Sequence, residues 1–404
     1  MHNQQFLLNT SHIIIDGLFD SVPILLSFIV ISLGAGEKET GIIISLAVMG
    51  STLLGLSTLL FSRYLGLLRT LSVIILLYGI GFFTSAFSKN IYLTGFCFII
   101  AVAGYCVFHN IAFAYLTTNS DRRSLGRNMG NFTAIGDIGR IPFASLAAFI
   151  AAFIAAFSTF GLSGWQIVCL AYGLGAILFA GYIFFSSKKG KMTNYPEALP
   201  ADGPARHFPC FSLLRKRQYA LPIGANILDA LGSDQIFTFL PYLLFAKGID
   251  AKIIASFALA FTLGCILGKV ACGRMVDLFG TRKVFILSEI FMALLLVVLV
   301  LGDQLFIIIG ASLLLGIVTK GTIPVIQTII TEPVKDKHNY DDIISISTFS
   351  RGTTNMVTPL FFGFIASLCG INWIYSIMAI AVVCAIIPVL IMDTPAARPL
   401  VKNI

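Results

Sequence analysis

Two aspartates four residues apart, Asp16 and Asp20, interrupt the apolar run "SHIIIDGLFDSVPILL" from Ser11 to Leu26. On a helix that spacing sets both carboxylates on one face. Further along, His109 stands in "VFHNIAFAYL", Asp137 and Arg140 are three apart in "FTAIGDIGRIP", and Asp229 and Asp234 share "ILDALGSD". Lys320, Arg351, Lys269 and Glu289 also fall in stretches dominated by apolar residues. Carboxylates, an imidazole and cations in such surroundings point to the handling of protons and ions rather than to bond making. A carboxyl withdrawn from water holds its proton more tightly and exchanges it as water access changes. Imidazole titrates near neutrality and suits a proton relay at His109. Arg140, Arg351 and Lys320 suit an anionic substrate group, or else neutralise the aspartates. Asp137 and Arg140 can equally form a purely structural pair. No role is assigned to Glu289 or Lys269. No H-E-x-x-H, G-x-S-x-G or phosphate-binding G-K-[ST] motif is present, so the chain reads as a protein other than an enzyme, with no cofactor and no metal site.

Such charges need elements that hold them out of water. Of the 404 residues, 57% are hydrophobic and 11% charged, against about 45–50% and about 25% in soluble domains. Twelve apolar blocks, at 10–33, 40–61, 68–87, 91–116, 128–157, 163–186, 218–246, 252–275, 283–301, 304–330, 343–369 and 371–392, are each long enough to cross a bilayer core of about 30 Å. The fold class is therefore an all-α polytopic membrane protein with twelve transmembrane helices. Barrel strands would be about ten residues long and alternating. Counted at about 1.5 Å per residue from the cytoplasmic ends, Asp20, Arg140, Asp229, Asp234 and Arg351 lie roughly 12–24 Å deep. Aromatic residues such as Tyr105, Phe108, Phe237, Phe239 and Tyr242 offer an apolar wall, or ordinary packing.

The net charge of +8 follows the positive-inside rule rather than the pattern of a nucleic-acid binder. With both termini cytoplasmic, the outer loops hold four of the 27 Lys and Arg: Lys38, Lys89, Lys247 and Lys252. No basic region precedes the first apolar run, so a cleaved signal peptide is not expected. The eight cysteines form no C-x-x-C pair and read as small packing residues. The expected partners are a small-molecule substrate, protons as coupling ion and the lipid bilayer, with the chain itself a monomer.

A proline-containing polar stretch over 187–217 divides the chain into a six-helix bundle at 1–186 and another at 218–404. The halves repeat. An offset of 214 residues places Asp20 on Asp234, Gly50 on Gly264, Gly66 on Gly280 and Arg69 on Lys283, and Phe132 to Pro142 has the spacing of Phe349 to Pro359.

Twelve spans, a basic loop between halves and this duplication resemble the major facilitator superfamily. "GRMVDLFGTRK", Gly273 to Lys283, is similar to its loop signature G-x-x-x-D-x-x-G-x-[RK]-[RK]. The resemblance implies two pseudo-symmetric bundles rocking about a central site, and cytoplasmic contacts made by Asp277, Arg282 and Lys283, with Gly273 and Gly280 permitting a tight turn. The corresponding first-half loop departs from the signature by placing Arg63 at the Asp position. It also implies that the first, fourth, seventh and tenth helices line the cavity. "SHIIIDGLFDSVPILL" with "VFHNIAFAYL" further resembles the fosmidomycin-resistance branch, which pairs a first-span S-H-x-x-x-D with a fourth-span V-F-H. Asn110 replaces that branch's usual proline. "GNFTAIGDIGRIP" partly resembles the glycine-rich fifth span of drug and proton antiporters. The expectation is proton-coupled efflux across a bacterial inner membrane, with Asp20 and Asp234 carrying the proton, Asp16, Asp229 and His109 assisting, and Arg140, Arg351 and Lys320 orienting substrate. The alternative is proton-coupled import of an amino acid, sugar acid or metal chelate.

Overall fold

The computed structural model describes residues 2–119, 125–153, 161–189, 211–334 and 337–392. Residues 190–210 of the expected linker lie outside the described residues, as do 120–124 of the basic loop after the fourth span. Among the described residues the chain is helical and has no strand. The helices are α1 His2–Ser32, α2 Glu37–Gly55, α3 Thr58–Ser85, α4 Ile91–Val102, α5 Tyr105–Asn119, α6 Leu125–Phe153 and α7 Gly164–Lys189 in the first half. In the second they are α8 Arg217–Ser233, α9 Ile236–Ala246, α10 Ala251–Phe279, α11 Thr281–Leu301, α12 Leu305–Thr331, α13 Lys337–Cys369 and α14 Ile371–Leu390.

Nine of the described helical stretches are long and apolar enough to cross a membrane. The count of helices exceeds that of spans because two spans are interrupted: the fourth is α4 with α5, and the seventh is α8 with α9. Intact helix is the cheapest solution in lipid because it satisfies every backbone donor and acceptor internally. Breaks therefore mark places where neighbouring protein takes over that task.

Gly66 and Gly280 carry the repeat into backbone geometry. Gly66 has φ 70 and ψ 177, and Gly280 has φ 84 and ψ 151, a left-handed φ that glycine adopts without steric cost. The chain turns at Gly280, whereas Gly273 lies inside α10.

The chain forms two compact units. One comprises Met1–Ala205, Gln235–Leu263 and Asn355–Ile374, the other Arg206–Asp234, Gly264–Thr354 and Tyr375–Ile404. In the first unit, α1 and α6 lie so close that a Cβ at Gly139 would collide with the Ile13 carbonyl, and one at Gly136 with the His12 ring. The glycine-rich stretch therefore serves helix approach, and α6 continues through Pro142 unbroken. Elsewhere in this unit α2 reaches α13 in the same way: a Cβ on Gly41 would strike the Pro359 carbonyl. The Ser45 hydroxyl oxygen accepts from the Leu360 amide at 2.9 Å, and Thr40 bonds Tyr242 of α9. In the second unit Ile223, Phe285, Ile326, Ile329 and Val389 pack in one buried cluster.

Replacing Gly139 with Ala is expected to force α1 from α6 at a cost of about 1–3 kcal/mol, the usual range for overpacking. Thermal unfolding of the purified protein in detergent checks this, with Gly175, whose Cβ position is open, as the control substitution.

Candidate functional site

In the first unit the close approach of α1 and α6 sets Arg140 against the acidic face of α1. Its Nη2 donates to Asp16 Oδ2 at 3.0 Å, its Nε lies 3.4 Å from Asp20 Oδ2, and its Nη1 lies 3.4 Å from Asp137 Oδ1. One guanidinium thus faces three carboxyl groups. Asp16 is almost fully buried, with 3% of its side chain exposed, while Asp20 retains 29% and is the member most open to water.

Two imidazoles close over Asp16. His12 Nε2 stands 3.3 Å from Oδ2, and His109 Nε2 stands 3.4 Å from Oδ1. The His109 Nδ1 lies 3.0 Å from the Tyr105 carbonyl, which can only accept, so Nδ1 carries the hydrogen of that bond. Its Nε2 faces the Asp16 carboxyl. Phe132 stacks on His12 with ring centroids 4.0 Å apart, and Phe108 packs against it at 5.3 Å, which fixes the ring.

The ligand atoms of His12, Asp16 and His109 lie within 4.8 Å of one another, a donor set that suits a metal ion. The guanidinium 3.0 Å from Asp16 supplies positive charge at that place and opposes a divalent cation.

In the second unit the same logic recurs with different partners. Arg351 donates from Nε and Nη2 to the two oxygens of Asp234 at 2.9 and 2.7 Å, the two-pronged geometry that only arginine offers. Its Nη1 donates to Asp229 Oδ2 at 2.8 Å and to Asn226 Oδ1 at 3.1 Å. Asn226 in turn donates to the Ser347 carbonyl at 3.2 Å. Asp229 is fully buried, and Thr322 donates to its Oδ1 at 3.4 Å. Asp234 closes the C-terminal end of α8, where the seventh span breaks.

The expected site residues thus separate into groups. Asp16, Asp20, His109, Asp137 and Arg140 come together in one cluster, and Asp229, Asp234 and Arg351 in another. Lys320, half-buried on α12, makes no hydrogen bond or ion pair with any described residue. Asp277 and Lys283 are exposed and likewise unpaired among the described residues, whereas Arg282 Nη1 donates to the Met392 carbonyl at 3.1 Å. Of the aromatic residues, Phe108, Phe239 and Tyr242 are buried in packing, and Phe237 stacks on Phe261 at 5.2 Å. Sequence reasoning left out His12, Asn226 and Thr322, and named Glu289 without a role. His12 carried a usable signal, its spacing of four from Asp16. Asn226 and Thr322 are common in any span and carried none.

Replacing Arg351 with Met would strand Asp229 and Asp234 without their cation. A loss of about 3–5 kcal/mol is expected, the usual cost of breaking a buried pair from one side. Arg351→Lys, which keeps charge but not the fork, should lose less. Thermal unfolding of both variants in detergent gives the comparison.

The model of the Major Facilitator Superfamily matches residues 222–403. No curated protein sequence matches the chain. Among solved structures, the chain is similar to a D-xylose-proton symporter at a TM-score of 0.73 and 15% identity, covering 95% of this chain and 97% of that one. It is similar to the nucleoside transporter NupG at 0.66 and 16%, covering 96% and 98%. It is also similar to a bacterial homolog of the human lysosomal transporter Spinster, in an inward-facing and unoccupied conformation, at 0.71 and 14%, covering 96% and 95%. Identities this low speak to fold alone, and they do so over nearly the full length of each chain. The chain has the major facilitator fold, and its second half carries the sequence match to that superfamily.

Proposed function

We propose that this protein is a secondary active transporter of the major facilitator superfamily, moving a small organic solute across a bacterial inner membrane by alternating access, coupled to protons. The single observation that carries this reading is the Arg140 cluster: one guanidinium against three carboxyl groups, with His109 aimed at the innermost. Carboxyl groups gathered in a poorly solvated place hold protons more tightly and exchange them as water access changes. The matching of residues 222–403 to the superfamily, and the fold shared with nucleoside and xylose transporters, support the transport reading.

In this reading Asp20 takes up and releases the proton, since it is the most water-exposed member, while Asp16 and His109 hold it behind. Asp234 does the same in the second half, where protonation would loosen its fork from Arg351, with Asp229 assisting. Arg140 and Arg351 set the carboxylates' geometry. Lys320, unpaired among the described residues, is the cation best placed to meet an anionic substrate group. The two halves, 1–186 and 218–404, act as six-helix bundles joined by the cytoplasmic linker 187–217, with both termini cytoplasmic. Proton-driven efflux, as in the fosmidomycin-resistance branch, is favoured by the meeting of Ser11-His12, Asp16 and the Val107-Phe108-His109 motif at one site. The likeness to a D-xylose-proton symporter supports import as the second reading.

Liposomes holding the purified protein and a pH-sensitive dye test both. A solute found by thermal-shift screening of drugs, siderophores and amino acids should change lumenal pH when added, and Asp20→Asn or Asp234→Asn should abolish that change while leaving the thermal-shift response intact. Solute movement that is indifferent to an imposed pH gradient would refute proton coupling. Accumulation of solute on the side away from acid would establish import and overturn efflux.

A further inference from the structure

Glu289 stands on α11 with no exposed surface, and neither of its carboxyl oxygens meets a hydrogen-bond donor. The group it faces is another acid: Met292, one turn along α11 from Glu289, accepts from the Thr319 hydroxyl, and Thr322, one turn further along α12, donates to Asp229, which sets the two carboxyl groups against each other. Asp229 spends Oδ2 on Arg351 at 2.8 Å. Its Oδ1 receives only the Thr322 hydroxyl, at 3.4 Å, and that hydroxyl is closer to the Thr319 carbonyl, at 3.1 Å. Two ionised carboxylates, both acceptors only, would here repel across a short gap and leave acceptors bare in the protein interior, at a cost of several kcal/mol. Arg351 cannot serve all three acids, because its fork is committed to Asp234 and its remaining nitrogen to Asp229 and Asn226.

We propose that Glu289 and Asp229 bind one proton between them, Glu289 donating as the neutral acid to Asp229, and that this pair is a proton-binding site joining α11 to α8. A metal cation is the poorer occupant, since the guanidinium 2.8 Å from Asp229 opposes it and the oxygens are too few for a coordination shell. The charged groups facing Glu289 are Asp229 from α8 and Arg351 from α13, and α12 presents the Thr322 hydroxyl to the same carboxyl pair. Loss of the proton to water leaves two carboxylates in mutual repulsion with half a guanidinium to offset them. This site does not depend on the solute or direction proposed above.

Infrared spectroscopy of the full-length protein in lipid reads the proton itself. The chain has five glutamates, and Glu289 is the one fully buried among the described residues. A neutral carboxylic acid absorbs above the amide band and shifts in D2O. At neutral pH the wild-type protein should show such a band, it should move when glutamate is labelled with carboxyl carbon-13, and it should fade at alkaline pH. Glu289→Gln, isosteric with the neutral acid, should remove the glutamate band, and Glu289→Asp should keep an acid band at a shifted position. A wild-type spectrum whose acid bands ignore the glutamate label would overturn the proposal without any variant having to fold. Loss of proton coupling at Asp20 with this band intact would sink the transport reading and leave this site standing.

Discussion

In each half of this protein a single guanidinium stands against several carboxyl groups in a largely buried place. Arg140 faces Asp16, Asp20 and Asp137, and Arg351 faces Asp229, Asp234 and, across Asp229, Glu289. Burying one ion pair roughly breaks even when its geometry is good.

The rest of the structure serves that constraint. Gly136 and Gly139 let α6 approach α1 until Arg140 reaches both Asp16 and Asp20. The break after Asp234 in the seventh span frees that carboxylate to take both prongs of Arg351. His12 is held by stacking on Phe132 and His109 by an edge-on contact with Phe108, so that their Nε2 atoms converge on Asp16. The two halves reach the same chemistry from different registers. Arg140 and Arg351 are not at equivalent positions of the repeated stretch, yet each ties the fifth helix of its half to the acids of the first.

The Gly66 and Gly280 turns show that the repeat survives in backbone geometry where little side-chain identity remains. Positive φ is a demand that few residues other than glycine meet. The loop signature ending at Lys283 keeps its glycine turn too, while Asp277 stands exposed and Arg282 is given to the Met392 carbonyl.

By itself the sequence determined the class of fold, the number of spans and the roster of buried charges. These are properties of composition and length: about twenty apolar residues make a span, and a charge within one is expensive wherever it points. It also showed the Asp137 and Arg140 spacing and the shared face of Asp16 and Asp20, because helical periodicity is local. Only the tertiary structure decided which charges meet. Arg351 could equally have been read as a free substrate ligand, and Lys320 as a counter-ion; packing gave Arg351 two aspartates and left Lys320 alone. Glu289 was visible as an acid in an apolar span, yet nothing local says that α11 turns it towards Asp229. That depends on helix rotation and approach, set by side chains on helices far apart in the chain, and such pairings leave no periodic trace.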